Sequence, residues 1–150
     1  MNPAPIFTLC NTAILSCWLL LLVAPRWRWS QRIATFVAPL LLATAYGWLL
    51  VTGPHVAGAS FNSIAGIRAL FSVDAAIVAG WLHYLAFDLF IGSWEVRDAR
   101  RLGLSHWWVV PCLLLTFLFG PVGLACWLLL RAALRRRFGV AVSEEEEIAG

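Results

Sequence analysis

Four long apolar runs alternate with short polar connections along the chain. They cover approximately residues 6–24, 33–51, 73–91 and 107–130. At about 1.5 Å of rise per residue, each run is long enough for a helix to cross the hydrocarbon core of a bilayer. Because only helices and closed barrels satisfy their backbone in lipid, runs of this kind indicate helices. The pattern predicts an all-α polytopic transmembrane helical bundle with about four spans.

The composition agrees with a membrane protein and excludes a nucleic-acid-binding one. Hydrophobic residues make up 61% of the chain and charged residues only 13%, more apolar side chain than a soluble domain of this size buries. All eleven basic residues are arginines, and they lie in short clusters between apolar runs rather than on a polar basic surface. We therefore expect membrane lipid, and no nucleic acid, as a partner.

The connections between the runs differ in character. Residues 26–32 combine arginine with tryptophan, which is typical of a turn at the lipid headgroups. Residues 55–72 are mixed, and Phe61, Ile64 and Arg68 predict a short amphipathic helix at the interface between spans 2 and 3. We predict one transmembrane domain over residues 1–138 and a solvated acidic tail over residues 139–150.

The fourth run contains Gly120-Pro121-Val122-Gly123 at its middle. Because the whole run fits one tilted span, we interpret it as a single helix kinked at the proline. The alternative is a re-entrant hairpin at Gly120–Gly123, which would place all the strong arginine clusters on one side of the membrane. With four spans the arginines divide too evenly for the positive-inside rule, so the orientation stays open.

The third run carries ionisable side chains within its apolar stretch, above all Asp88 and His83. A charged group at the centre of a span costs roughly 2.5–3.5 kcal/mol, so it usually marks a functional or paired site. Asp88 and His83 are therefore the candidate functional residues of this run. They lie about 140° apart around one helix, so only contacts with other helices can bring them to a common cavity. A histidine that merely donates to a neighbouring carbonyl is the alternative for His83.

Other side chains near this run have structural interpretations. Asp74 follows Ser72 and fits a first-turn aspartate that complements the helix dipole. Acidic and basic side chains follow the run, and we interpret them as interfacial ion pairs. They include Glu95, Arg97, Asp98 and Arg101. Four aromatic residues suit helix packing or anchoring at the membrane interface; they are Trp81, Tyr84, Phe87 and Trp94. The four cysteines lie in apolar runs without metal-ligand spacing, so we expect buried free thiols and no metal site.

Three sequence blocks resemble a known family. They are WLHYLAFDLFIG at 81–92, WEVRD at 94–98 and FGPVGL at 119–124. These blocks are similar to the abscisic-acid-deficient-four-like family, whose best-known members are plant plastid membrane proteins required for making neoxanthin from violaxanthin. The composition, rich in arginine, alanine and tryptophan, and the lack of a transit peptide before the first run indicate a bacterial member in the inner membrane. Because bacteria generally lack neoxanthin, the resemblance does not imply that substrate.

The resemblance implies two functions of different kinds. One is a carotenoid-modifying, epoxide isomerase-like protein without a redox cofactor, in which Asp88 and His83 exchange protons with a polyene held by the aromatic residues. The other is a non-catalytic carotenoid- or lipid-binding subunit, or an assembly factor, in a homo-oligomer or larger membrane complex. A haem protein using His83 with His55 or His106 is disfavoured because the three histidines lie at different depths. A transporter is disfavoured because no internal repeat is evident.

Overall fold

The computed structural model describes residues 2–138, and the side chains of this range as far as residue 134. All regular secondary structure in this part of the chain is helical, which confirms the predicted fold class. The predicted acidic tail lies outside the described residues. The helices are α1 (Ala4–Val23), α2 (Arg28–Thr52), α3 (Ile64–Leu70), α4 (Asp74–Arg101), α5 (His106–Phe119) and α6 (Pro121–Phe138). By length and composition α1, α2 and α4 can each cross a membrane.

Two compact units divide the described residues, and the boundary falls inside α4. The first unit ends at Phe90 and contains α1, α2, α3 and the first part of α4. The second unit begins at Ile91 and contains the rest of α4 with α5 and α6. The single domain expected over residues 1–138 stays a prediction.

In the first unit, α2 begins at Arg28, earlier than its apolar run, so the basic and aromatic connection is partly helical. The Arg28 and Arg32 guanidinium groups lie 5.7 and 5.3 Å from the centre of the Trp29 ring. One turn of α2, Ile33–Val37, is π-helical and ends two residues before Pro39. Because proline has no N–H and its ring crowds the carbonyl four residues earlier, the helix widens there instead of breaking.

The short helix predicted between the second and third long helices is present as α3. The Ser63 side chain caps it by accepting a hydrogen bond from the Gly66 N–H at 3.0 Å. Phe61 and Ile64 are 81% and 78% exposed. The interfacial position of this segment stays a prediction.

In the second unit, the fourth apolar run forms two helices instead of one. The chain turns at Gly120, whose φ is 45°, and Pro121 opens α6. Thr116 contacts Gly123, and Cys112 contacts Cys126, so residue numbers rise on one helix as they fall on the other. Helices α5 and α6 are therefore an antiparallel hairpin, and the prediction of a single kinked span is wrong.

The physical reason lies in the residues at the turn. Glycine adopts a positive φ without steric cost, and Pro121 at the start of a helix needs no N–H donor. A side chain at Gly123 would overlap the backbone of Thr116, so only glycine lets the two helices approach this closely. The 14 residues of α5 rise about 21 Å, which is shorter than the hydrocarbon core of roughly 30 Å.

Candidate functional site

Asp88 lies near the middle of the 28-residue helix α4 and is only 9% exposed. The Tyr84 hydroxyl, one helical turn earlier, donates a hydrogen bond to its carboxylate. The other oxygen, Oδ2, is buried and has no hydrogen-bond partner among the described residues. Because buried polar atoms are almost always paired, this unpartnered oxygen marks Asp88 as a candidate functional group.

His83 occupies a different face of α4 from Asp88. Its ring is exposed and contacts Tyr46 of α2 and Phe87, with ring centres 5.9 and 4.6 Å apart. No hydrogen bond joins His83 to Asp88 in the part of the chain that the structure describes. The structure therefore does not bring the two candidate catalytic residues together, in keeping with their separation of about 140° around one helix.

An aromatic cluster connects α1 to α4 within the first unit. The Trp81 ring stacks on Tyr84 with ring centres 5.3 Å apart, and Phe7 of α1 lies 6.2 Å away. The Trp81 Nε1–H donates to Asn11 Oδ1 at 3.1 Å. Sequence reasoning missed Phe7 and Asn11, because an isolated polar residue in the first apolar run gives no indication of its partner on another helix.

The four aromatic residues expected to contact a polyene do not form one group in a single unit. Trp81, Tyr84 and Phe87 belong to the first unit, where Trp81 is 39% and Phe87 60% exposed. Trp94 is half-buried and belongs to the second unit. Only the first three can therefore be assigned to the surroundings of Asp88.

A groove of about 610 Å³ runs between α1 and α2 in the first unit. Its floor contains the buried side chains of Ile14, Cys17 and Leu42, and the exposed Trp48 stands at one wall. The α1 residues that line it extend from Ile6 to Cys17, which corresponds to roughly 16 Å of helix. A groove of this shape suits a rod-like apolar ligand. The sequence alone does not predict the groove, because residues of two different helices line it.

The second unit buries two further carboxylates of α4, Glu95 and Asp98. Glu95 is 0% exposed and accepts a hydrogen bond from Thr116 Oγ1 of α5 at 2.9 Å. Asp98 is 7% exposed, accepts from Trp127 Nε1 of α6 at 3.2 Å, and forms an ion pair with Arg131 Nε at 2.6 Å. The hairpin thus supplies partners for both acids.

Glu95 and Asp98 were expected to be interfacial groups paired with nearby arginines, and the structure adds partners on the hairpin for both. Residues three apart on a helix share a face, and here that face is covered by the hairpin. Arg97 donates to Ser93 Oγ at 3.3 Å, and Arg101 is exposed. Sequence reasoning missed Thr116, Trp127 and Arg131, since nothing local links them to α4.

Metal-ligating side chains are not clustered in the described residues. They contain no group of three or more His, Cys, Asp or Glu side chains that could hold a metal ion.

The fold and these buried carboxylates define a small helical protein of the membrane class. Residues 5–127 match the model of the ABA DEFICIENT 4-like family, and the chain belongs to that family. This confirms the resemblance seen in the three sequence blocks.

The chain is similar to Protein ABA DEFICIENT 4, chloroplastic, from Arabidopsis thaliana, with 25% identity over 142 residues. The match covers 89% of this chain and 63% of that relative, so the chain spans less than two thirds of the relative's length. No solved structure matches the chain.

Proposed function

We propose that this chain is a multi-pass membrane protein that modifies a carotenoid or a chemically similar polyene, with Asp88 as its acid. The observation that carries the proposal is the buried Asp88 carboxylate, which keeps one oxygen unpartnered among the described residues. Family membership supports it, because the resemblance implies a carotenoid-related role. The bacterial inner membrane is the proposed location.

The proposed reaction is an isomerisation that opens an epoxide on a cyclic polyene end group. Asp88 in its acid form gives a proton to the epoxide oxygen, and the carbon–oxygen bond breaks with cationic character on carbon. Loss of a vinylic proton to a base then leaves an allene. One proton is given and one is removed, so no electron acceptor is required.

Asp88 can serve as both acid and base in turn. After it donates its proton it is a carboxylate, and its unpartnered Oδ2 can accept the vinylic proton. The Tyr84 hydroxyl holds the carboxylate in one orientation through both steps. This scheme removes the need for His83, which occupies another face of the helix.

Asp88→Asn tests the proposal, because the amide keeps the shape of the side chain and cannot exchange the proton. In a host that makes an epoxy-carotenoid, we expect the product to fall at least about 100-fold, as measured by pigment extraction and chromatography. Asp74→Asn is the matched control, since Asp74 is an exposed aspartate in the first turn of the same helix. Unchanged product from Asp88→Asn at equal protein amount would contradict the acid role.

The groove between α1 and α2 favours a second function, that of a non-catalytic subunit that binds a polyene or lipid. Ala13→Trp places a large ring in the groove, whereas Leu19→Trp adds the same ring at an exposed position of α1 outside it. We expect purified wild-type protein and the Leu19→Trp variant to carry polyene absorption bands, and the Ala13→Trp variant to lose most of them. Equal pigment in both variants would exclude the groove as the binding site.

A further inference from the structure

The hairpin of α5 and α6 brings together two cysteines that are 14 positions apart in the sequence. The Cys112 Sγ–H donates to Cys126 Sγ, with 3.5 Å between the sulfur atoms. Cys112 is 0% exposed and Cys126 is half-buried, and both are free thiols. A disulfide has its sulfur atoms about 2.05 Å apart, so they need to approach by only about 1.5 Å.

The close packing of the hairpin explains why these thiols can meet. Most packed helices have axes 8–10 Å apart, whereas a disulfide needs Cα atoms about 4.4–6.8 Å apart. At Gly123 no side chain separates the helices, and α6 contacts the backbone of Thr116. Cys112 and Cys126 lie one helical turn beyond this contact, in the same antiparallel register.

We propose that Cys112 and Cys126 are a disulfide-forming pair that locks the hairpin. The bond forms by thiol–disulfide exchange with a small lipophilic disulfide as the oxidant. The half-buried Cys126 sulfur, as thiolate, attacks one sulfur of the oxidant, giving a mixed disulfide and releasing one thiol. The Cys112 sulfur, as thiolate, then attacks the Cys126 sulfur and releases the second thiol. The oxidant is reduced to two thiols, which take up the two protons that the cysteines lose.

The bond acts on the buried acids through the residues that it joins. The closed ring runs from Cys112 to Cys126 and includes Thr116, which donates to Glu95. Trp127, which donates to Asp98, follows Cys126 directly. Oxidation therefore fixes α5 and α6 in the arrangement that supplies both hydrogen bonds.

The test uses the purified full-length protein in detergent, with dithiodipyridine as the lipophilic disulfide. The protein is reduced, freed of reductant, oxidised and alkylated, and its peptides are then identified by mass spectrometry. We expect one cross-linked pair, Cys112 with Cys126, whose mass is lower by two hydrogen atoms. We also expect the oxidised protein to unfold at a higher temperature than the reduced protein.

Cys10 and Cys17 are the internal control. They are seven residues apart on α1, roughly 10 Å along the helix axis, so they cannot bond to each other and should keep separate adducts. In Cys112→Ala, the remaining Cys126 should keep a pyridyl adduct and the gain in unfolding temperature should disappear. Separate stable adducts on Cys112 and Cys126 in the wild-type protein would overturn the proposal. So would a Cys10–Cys17 cross-link formed as readily as the hairpin one.

Discussion

At the scale of single residues, Asp98 is a buried charged side chain. It lies near the end of α4 and is only 7% exposed. Taking a carboxylate out of water costs several kcal/mol, and only a close counter-charge with additional hydrogen bonds offsets that cost. Arg131 provides the charge and Trp127 the hydrogen bond, both from α6. The same side chains therefore anchor the hairpin to α4.

Asp98→Asn should destabilise the protein by about 3 kcal/mol, because it leaves the Arg131 cation without its partner. This loss of stability lies at the lower end of what breaking a buried ion pair costs, because the Arg131 side chain is 30% exposed. The measurement is thermal or denaturant unfolding in detergent, followed by tryptophan fluorescence. Asp74→Asn should cost less than about 1 kcal/mol, because it removes only an interaction with the helix dipole.

A double variant distinguishes loss of the Asp98–Arg131 ion pair from a general loss of stability. Arg131→Met alone should also destabilise the protein, and Asp98→Asn with Arg131→Met should cost less than the two single changes added together. Additive effects would mean that the ion pair does not contribute to stability.

At the scale of elements, the hairpin of α5 and α6 is the feature that a hydropathy reading misses. Residues on both sides of Gly120 are apolar, so a hydropathy window continues through the turn without interruption. The turn depends on Gly120, Pro121 and Gly123. In the sequence these residues fit a kinked helix as well as they fit a turn. What distinguishes the two is the contact between Gly123 and Thr116, which only the folded hairpin has.

Gly123→Ala should open the hairpin, because the new methyl group would overlap backbone atoms of Thr116 that cannot rotate away. We expect a loss of about 3 kcal/mol or more in unfolding free energy. Gly47→Ala is the matched control, since no atom lies within 4 Å of a side chain built at that helical position. It should be neutral or stabilising by up to about 1 kcal/mol. Similar stability of the two variants would contradict the close contact.

At the scale of the whole molecule, the hairpin allows a different count of membrane crossings from the four that the apolar runs predict. If α1, α2 and α4 each cross once and the hairpin returns to the side that it entered from, Arg68 is alone on one side. The arginines within residues 26–32 and 97–101, together with Arg131, then share the opposite side. The even division that left the orientation open came from counting the fourth apolar run as a full span. Under this topology, the positive-inside rule predicts that the arginine-rich side faces the cytoplasm.

Site-directed labelling tests this topology. Ser105→Cys, between α4 and α5, should face the cytoplasm, and Ser63→Cys, at the start of α3, should face the opposite side. A membrane-impermeant maleimide added to intact cells should label the Ser63→Cys variant and spare the Ser105→Cys variant. The unsubstituted protein measures background from the four native cysteines. Labelling of Ser105→Cys from outside would reverse the orientation.

The amino-acid sequence by itself determined the helical class, three of the long helices, the short helix α3 and the family. It also singled out Asp88 as a carboxyl in an apolar helix. Each of these follows from properties within one segment, such as its length, apolar character and local motifs. The tertiary structure decided the reversal at Gly120, the partners of Glu95 and Asp98, the groove between α1 and α2, and the meeting of Cys112 with Cys126. The physical reason is that these features depend on how closely two helices pack, and that distance is set by side chains on both.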